Sequence, residues 1–372
     1  MIKRGYYVFA PMEEGCVGPY SGIEKKIRAQ CSVFGKYFDI KLNILPVVSE
    51  QSRFRRYASR LPFVSIDRKW KYDGEYNGAD FLYIRQVRHD RAFINYLKYI
   101  RNQNHDIKII YEIPTYPYDA ESKTTIKNVH LFLKDRYNRK KLKKYVDRIV
   151  TFYDNDEIFG ISTLKIQNGF DFSSFSCNTE PLCESAVNII EVSTTAFWHG
   201  YDRFIEGLGE YYKNGGKENV VFHMVGYVSQ EMKNLTEKYH LDEHVVFYGL
   251  KSGEALEKIY NSCSLGVDVL GGHRKNYPLS SSLKSREYAA RGIPVITASP
   301  VDYMPENYKY QLLEPYDDSP IDINGVLSFY HAVYDEKDVG EVRNEIRTFA
   351  QGKCDIQKTL MPVIDYINNQ ER

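Results

Sequence analysis

Short apolar runs alternate along this chain with longer stretches whose apolar positions recur every three or four residues. The runs predict strands buried on both faces, and the longer stretches predict amphipathic helices. Residues 6–10 form the first run. A loop at 13–22 carries Gly15, Gly18, Pro19 and Gly22, and residues 23–34 then place Ile23, Ile27, Cys31 and Phe34 on one helical face. Strands are predicted at 40–48, 81–84, 107–113, 148–153 and 163–167, and helices at 92–101 and 126–145. Residues 49–78 show no clear period, and 170–185 read as a Ser-rich linker. The alternation restarts with strands at 187–192, 220–225, 245–248, 265–270, 294–298 and 311–313. Helices are predicted at 201–212, 230–239, 254–263 and 282–290, and two more, near 322–334 and 339–367, close the chain.

Repeated strand–helix units imply parallel sheets covered on both faces. The pattern predicts an α/β protein of two doubly wound, Rossmann-like domains facing a cleft. The N-terminal domain spans 1–170, the linker 171–185 and the C-terminal domain 186–338, with helices of 339–372 packing back on the N-terminal domain. A length of 372 residues fits two domains at about 150 residues each. Ligands of such sheets sit beyond the C-terminal strand ends.

Composition narrows the function classes. A net charge of +1 argues against a protein built to coat nucleic acid. The six cysteines form no C-x-x-C pair, so zinc and redox motifs are unsupported. There is no secretory signal and no apolar run near the ~18 residues of a membrane span. A cytoplasmic location is expected.

Motif order carries a more specific reading. Gly226 closes the run Phe222-His223-Met224-Val225. Leu235 and Leu241 precede Val245-Val246-Phe247-Tyr248-Gly249, a V-x-F-x-G string. Then come Leu265-Gly266-Val267-Asp268-Val269 and the string from Lys284 to Ile296, K-x-x-E-Y-x-x-x-G-x-P-V-I. This series resembles the donor domain of retaining, GT-B-fold glycosyltransferases of family 4, the type found in bacterial polysaccharide and glycan biosynthesis. Less closely, Ser21-Gly22-Ile23-Glu24 resembles the family's first Gly-rich loop, and Ile166-Gln167-Asn168-Gly169-Phe170-Asp171 its interdomain I-x-N-G-x-D.

The resemblance implies a hexosyltransferase with a nucleotide-sugar donor as substrate, no cofactor and a glycan or lipid-linked saccharide acceptor. It implies that Glu287 contacts the donor ribose, whose hydroxyls suit a carboxylate. Lys284 lies one helical turn earlier, where a cation would meet the diphosphate or the leaving-group charge; a solvated Lys–Glu pair is the plain alternative. Ser281 and Ser282 precede this helix, and a serine N-cap with a positive dipole end suits a phosphate. Tyr248 and Gly249 are expected in the loop facing the base. His199 or Arg203 stands where the family approaches the diphosphate. Arg274 follows the strand at 265–270 and is a second catalytic candidate, able to hold a phosphate in forked geometry. Gly22 would let backbone approach the donor. Glu112, Thr115 and Tyr116 are the acceptor-side candidates.

Departures from the family pattern matter too. Many members carry Glu-x7-Glu, and here Leu279 stands at the first position. The usual strand-end arginine is missing where Glu191-Val192-Ser193-Thr194 stands. A sugar-nucleotide epimerase on the same fold and a catalytically silent partner subunit are therefore the alternatives. Asp154-Asn155-Asp156 matches the metal-holding D-x-D of GT-A enzymes, but in another context, and no metal is expected. The segment 53–70 and the helix at 134–144 interleave basic and aromatic residues, which suits an anionic membrane surface and a peripheral place at the inner face of the plasma membrane.

Overall fold

The computed structural model describes residues 2–11, 22–46, 70, 74–85, 89–118, 129–177 and 181–369. The Gly-rich loop at 15–21 and the basic segment 53–69 lie outside them. Two compact units form: Met1–Gly169 with Ile356–Arg372, and Phe170–Asp355.

The first unit contains β1 (Arg4–Phe9), β2 (Asp39–Ile44), β3 (Phe81–Arg85), β4 (Lys108–Ile113), β5 (Arg148–Thr151), β6 (Glu157–Ile158) and β7 (Ile161–Lys165). They join in the order β2-β1-β3-β4-β5-β7-β6, parallel except for the β6–β7 pair. Every residue of β3 and β4 is buried, so both sheet faces are covered. Side-chain alternation separates two cores. Tyr7, Phe81, Tyr83 and Ile110 pack with Ile27 and Phe34 of α1 (Gly22–Phe34). Val8, Leu82, Ile109 and Tyr111 pack with Phe93 and Leu97 of α2 (Arg91–Gln103). Asp90 caps α2 by accepting from the Phe93 N–H at 2.8 Å. Trp70 packs its ring, tilted by 45°, 4.6 Å from that of Phe93.

The expected helix at 126–145 is shorter. Within the described residues α3 (Val129–Arg139) ends and a 3₁₀ turn, Leu142–Lys144, follows. The basic run Arg139-Lys140-Lys141 offers no apolar face, and the chain tightens to bury Leu142 alone.

The second unit contains β8 (Val187–Val192), β9 (Val220–Val225), β10 (Val245–Gly249), β11 (Leu265–Val267), β12 (Val295–Thr297) and β13 (Gln311–Leu313). Their order is β10-β9-β8-β11-β12-β13, all parallel. The helices are α4 (Tyr201–Lys213), α5 (Gln230–Lys238), α6 (Gly253–Asn261), α7 (Leu283–Arg291), α8 (Ile323–Tyr334) and α9 (Val339–Cys354). Gly292 ends α7 at φ +75°, and a Cβ there would meet Arg343 Cα of α9 at 2.5 Å. The glycine of the 284–296 string thus serves both a left-handed cap and close helix packing.

Two boundaries differ from expectation. Phe172, placed in the linker, is fully buried in the core of the second unit. Of residues 339–372, α9 stays in the second unit, and only Ile356–Arg372, with α10 (Ile356–Thr359) and α11 (Met361–Asn368), joins the first. Asp355 is extended at φ −59°, ψ 130° and breaks the expected single helix. The break lets Cys354 fill one core and Ile356 the other.

Candidate active site

The C-terminal ends of β8 and β11 and the start of α7 bring a polar cluster together. Asp268 follows β11 and is fully buried. Ser280 Oγ donates to its Oδ2 at 2.8 Å and Ser282 Oγ to its Oδ1 at 2.7 Å. Ser282 is also the N-cap of α7, accepting from the Ser285 N–H at 3.1 Å. One serine thus fixes the helix start to the strand end. Lys284 lies in the first turn, with Nζ 3.7 Å from Asp268 Oδ1, and donates to Tyr201 Oη at 2.7 Å. Tyr201 opens α4 and meets Ser193 Oγ at 3.1 Å, while Ser193 donates to Glu191 Oε2 at 2.8 Å. His199 Nδ1 is 3.4 Å from the same serine.

Burial sets the charge states. It lifts the Glu191 carboxyl to about 8, against the pull of Lys284. It also lowers Lys284 from the usual lysine range, opposed by Asp268 and Glu191. His199 is held far below the usual histidine range by burial, then by Lys284 and Lys275, so its ring is neutral. Among the described residues Glu191 Oε1 has no hydrogen-bond partner. The arrangement offers one cation beside the positive end of a helix, which is chemistry for an anionic group.

Glu287 lies one turn beyond Lys284, its side chain 24% exposed and 3.2 Å from Arg291 Nη1. Part of its carboxylate stays open. Gly200 at φ +71° lets the turn before α4 touch the chain after β11: a Cβ there would lie 2.3 Å from the Gly271 nitrogen.

Other expected residues are committed elsewhere. Arg203 is fully buried, donating to the carbonyls of Ser319, Leu270 and Pro315. It fastens these loops to α4. Arg274 forks onto Asp202 at 2.8 and 2.6 Å and meets Asp318 at 2.6 Å, so its charge is matched within the chain. Ser281 is buried, donating from Oγ to Asp302 and from its N–H to Tyr277 Oη, both at 2.8 Å. It braces the Arg286–Asp302 ion pair instead of facing outward. Tyr248 turns its hydroxyl to His223 Nδ1 at 2.9 Å, and Gly249 is exposed at φ +64° on the edge strand β10.

In the first unit Glu112 is fully buried. It pairs with Arg85 and accepts from Tyr83 Oη and from Gln30 Nε2, the last at 2.8 Å. Its carboxylate is committed to partners within the unit. Thr115 and Tyr116 are half-buried, with the Tyr116 ring 5.9 Å from Phe159. Gly22 is exposed at the start of α1, with nothing described within 4 Å of a Cβ, so intrachain packing does not demand a glycine. Asp154 and Asp156 of the D-x-D string hold Lys165 between them at 2.6 and 2.8 Å.

Sequence reasoning named Lys284 and Ser282 but not Glu191, Ser193, Tyr201 or Asp268 as site residues. The available signal was a carboxylate at the end of an otherwise apolar strand, in Asn188-Ile189-Ile190-Glu191 and Leu265-Gly266-Val267-Asp268. A charge in a buried strand needs a partner or a task.

No family model matches the sequence, and no curated protein matches it. Solved structures do. The structure of Anabaena HepE in complex with UDP-glucose is 11% identical, covers 98% of this chain and 99% of its own, and has a TM-score of 0.62. Sucrose-phosphate synthase from Thermosynechococcus elongatus is 12% identical over 98% of this chain and 99% of its own, with a TM-score of 0.64. S. aureus TarM, in complex with Fondaparinux, alpha-GlcNAc-glycerol and UDP, is 15% identical over 78% of this chain, with a TM-score of 0.54. This chain spans 55% of TarM's length. The two Rossmann-like units of this chain are therefore folded as in GT-B glycosyltransferases.

Proposed function

We propose that this chain is a glycosyltransferase of the hexosyltransferase type. It takes a sugar from a nucleotide-sugar donor bound at the second unit and passes it to a glycan or lipid-linked saccharide acceptor. The observation that carries this reading is Lys284, fixed by Asp268 and Tyr201 at the Ser282-capped start of α7, with Glu287 one turn further. The structures of HepE with UDP-glucose and of TarM with UDP support a uridine diphosphate sugar as the first donor to try.

In this reading Lys284 and the positive end of α7 stabilise the negative charge that develops on the departing diphosphate. Glu287 holds the ribose hydroxyls and so sets the register of the donor. Transfer proceeds with retention, as the family 4 resemblance implies, and without a metal. NMR of the product's anomeric proton and an assay in EDTA check those two points.

The binding test is a thermal-shift screen with UDP, GDP, ADP, TDP, CMP and their sugar conjugates, repeated on Glu287→Ala. At about 100 times Kd a ligand adds about 2.7 kcal/mol, a shift of several degrees. A shift for one nucleotide that is lost in Glu287→Ala supports the reading. No shift with any nucleotide favours the silent partner subunit. Leu279 motivates that second reading, being 44% exposed where many members of the resembled family place a carboxylate.

An anionic membrane is the proposed resting surface. Val129, Leu133 and Tyr137 form an exposed ridge on α3, with Arg136, Lys140, Lys143 and Lys144 exposed around it. No helix among the described residues is long and apolar enough to cross a membrane. Sedimentation with phosphatidylserine vesicles should carry the protein down, and Leu133→Glu should leave it in solution.

A further inference from the structure

Glu191 is fully buried, yet among the described residues no cation lies within 4 Å of it and its Oε1 has no hydrogen-bond partner. A buried carboxylate left without a cation is costly, so the fold favours the protonated acid. A hydrogen-bonded chain links it to the lysine: Lys284 Nζ donates to Tyr201 Oη at 2.7 Å, Tyr201 Oη lies 3.1 Å from Ser193 Oγ, and Ser193 Oγ lies 2.8 Å from Glu191 Oε2.

We propose that Glu191 is a positioning residue that works as a neutral acid, fixing Lys284 through Ser193 and Tyr201 for the donor diphosphate, and that its ionisation weakens nucleotide binding. This rests on the donor-site reading above. Once ionised, Glu191 becomes a second buried anion beside Asp268, and both compete with the phosphate for Lys284.

Four other titratable side chains and one carboxylate face Glu191 from the elements packed against it: Lys284, Tyr288, Tyr201, His199 and Asp268. From α7 come Lys284, which burial lowers from the usual lysine range against the pull of Asp268 and Glu191, and Tyr288, whose phenol burial keeps protonated. From α4 comes Tyr201, likewise protonated. The loop after β8 gives His199, neutral throughout, and β11 leads into Asp268, already paired with Lys284. The acid midpoint of Glu191, about 8, falls inside the working range.

The experiment is calorimetric titration of UDP into the full chain from pH 6.5 to 9.5, for the wild type and Glu191→Gln. The expected result is a wild-type Kd that rises by up to about tenfold per pH unit above the midpoint. Glu191→Gln, which mimics the neutral acid, should bind as tightly as wild type at pH 6.5 and lose most of that dependence. Titration of the nucleotide itself and of Lys284 occurs in both proteins, so the difference between them reports Glu191. A flat wild-type profile, or the same slope in both proteins, overturns the inference while leaving the donor site standing. Absence of UDP binding at every pH removes the uridine donor site and the inference with it. If Glu191→Gln does not fold, isotope-edited infrared spectroscopy of the wild type replaces it. A protonated carboxyl band at pH 7 that fades as Kd rises supports the inference, and a carboxylate at pH 7 overturns it.

Discussion

Glu112 and Glu191 occupy equivalent places, each the penultimate residue of a central parallel strand in its unit, and each fully buried. Their surroundings are opposite. Glu112 pairs with Arg85 and accepts from Tyr83 and Gln30. Glu191 meets the hydroxyls of Ser193 and Tyr201, and among the described residues its Oε1 has no hydrogen-bond partner. The first is an ion pair locked between sheet and helix. The second is a buried carboxyl without a counter-charge, linked to Lys284 through Ser193 and Tyr201. The contrast teaches that a buried strand-end carboxylate is not by itself a functional signal; the partners decide.

The largest expected effect breaks the locked side. Glu112→Ala leaves Arg85 buried without its counter-charge and should cost about 3–5 kcal/mol, a fall of roughly 10 °C in Tm by calorimetry. A change below about 1 kcal/mol would remove the distinction between the two carboxyls. Next is the pH dependence of stability at Glu191. Burial holds its folded pKa at about 8, above the ordinary glutamate value of 4.5, so its contribution is complete below about 4.5 and is lost as pH rises through 8. Relative to wild type, Glu191→Gln should gain up to about 1.4 kcal/mol per pH unit between 5 and 8, then level off. Urea melts across that range check it, and a constant gap would mean that Glu191 is ionised throughout.

Lys284→Ala sharpens the functional side. Loss of a charge-assisted contact should weaken UDP binding by about 10- to 100-fold in calorimetric titration. The smallest effect is expected at Arg274. Its partners Asp202 and Asp318 are partly exposed, so Arg274→Ala should cost about 1 kcal/mol and change UDP affinity less than threefold. A larger loss of affinity would return Arg274 to the ligand site.

Much of the fold was legible. The run at 187–192 and the periodic stretch at 201–212 became β8 and α4 with almost no change, because burial on two faces leaves an uninterrupted apolar run and burial on one leaves a period near 3.6. The single C-terminal helix was not legible. Its break at Asp355 arises because Cys354 and Ile356 belong to different cores, which no local period encodes. In the site, Ser282 could be read as an N-cap from its place before an apolar-periodic stretch. Arg203 and Ser281 could not be read as structural, because their carbonyl and Asp302 partners lie elsewhere in the chain.

By itself the sequence determined the alternation of strands and helices, the two-unit α/β architecture and the string from Lys284 to Ile296 with its Gly292 helix cap. These depend on periodicity, capping and backbone freedom, all local properties. Only the tertiary structure decided which charged groups meet and with which partners. Arg203, Arg274 and Glu112 are closed by distant partners, while Glu191 at a strand end and Lys284 at a helix start are brought together from more than 90 residues apart. Electrostatic roles follow from distance and desolvation, and both are set by packing.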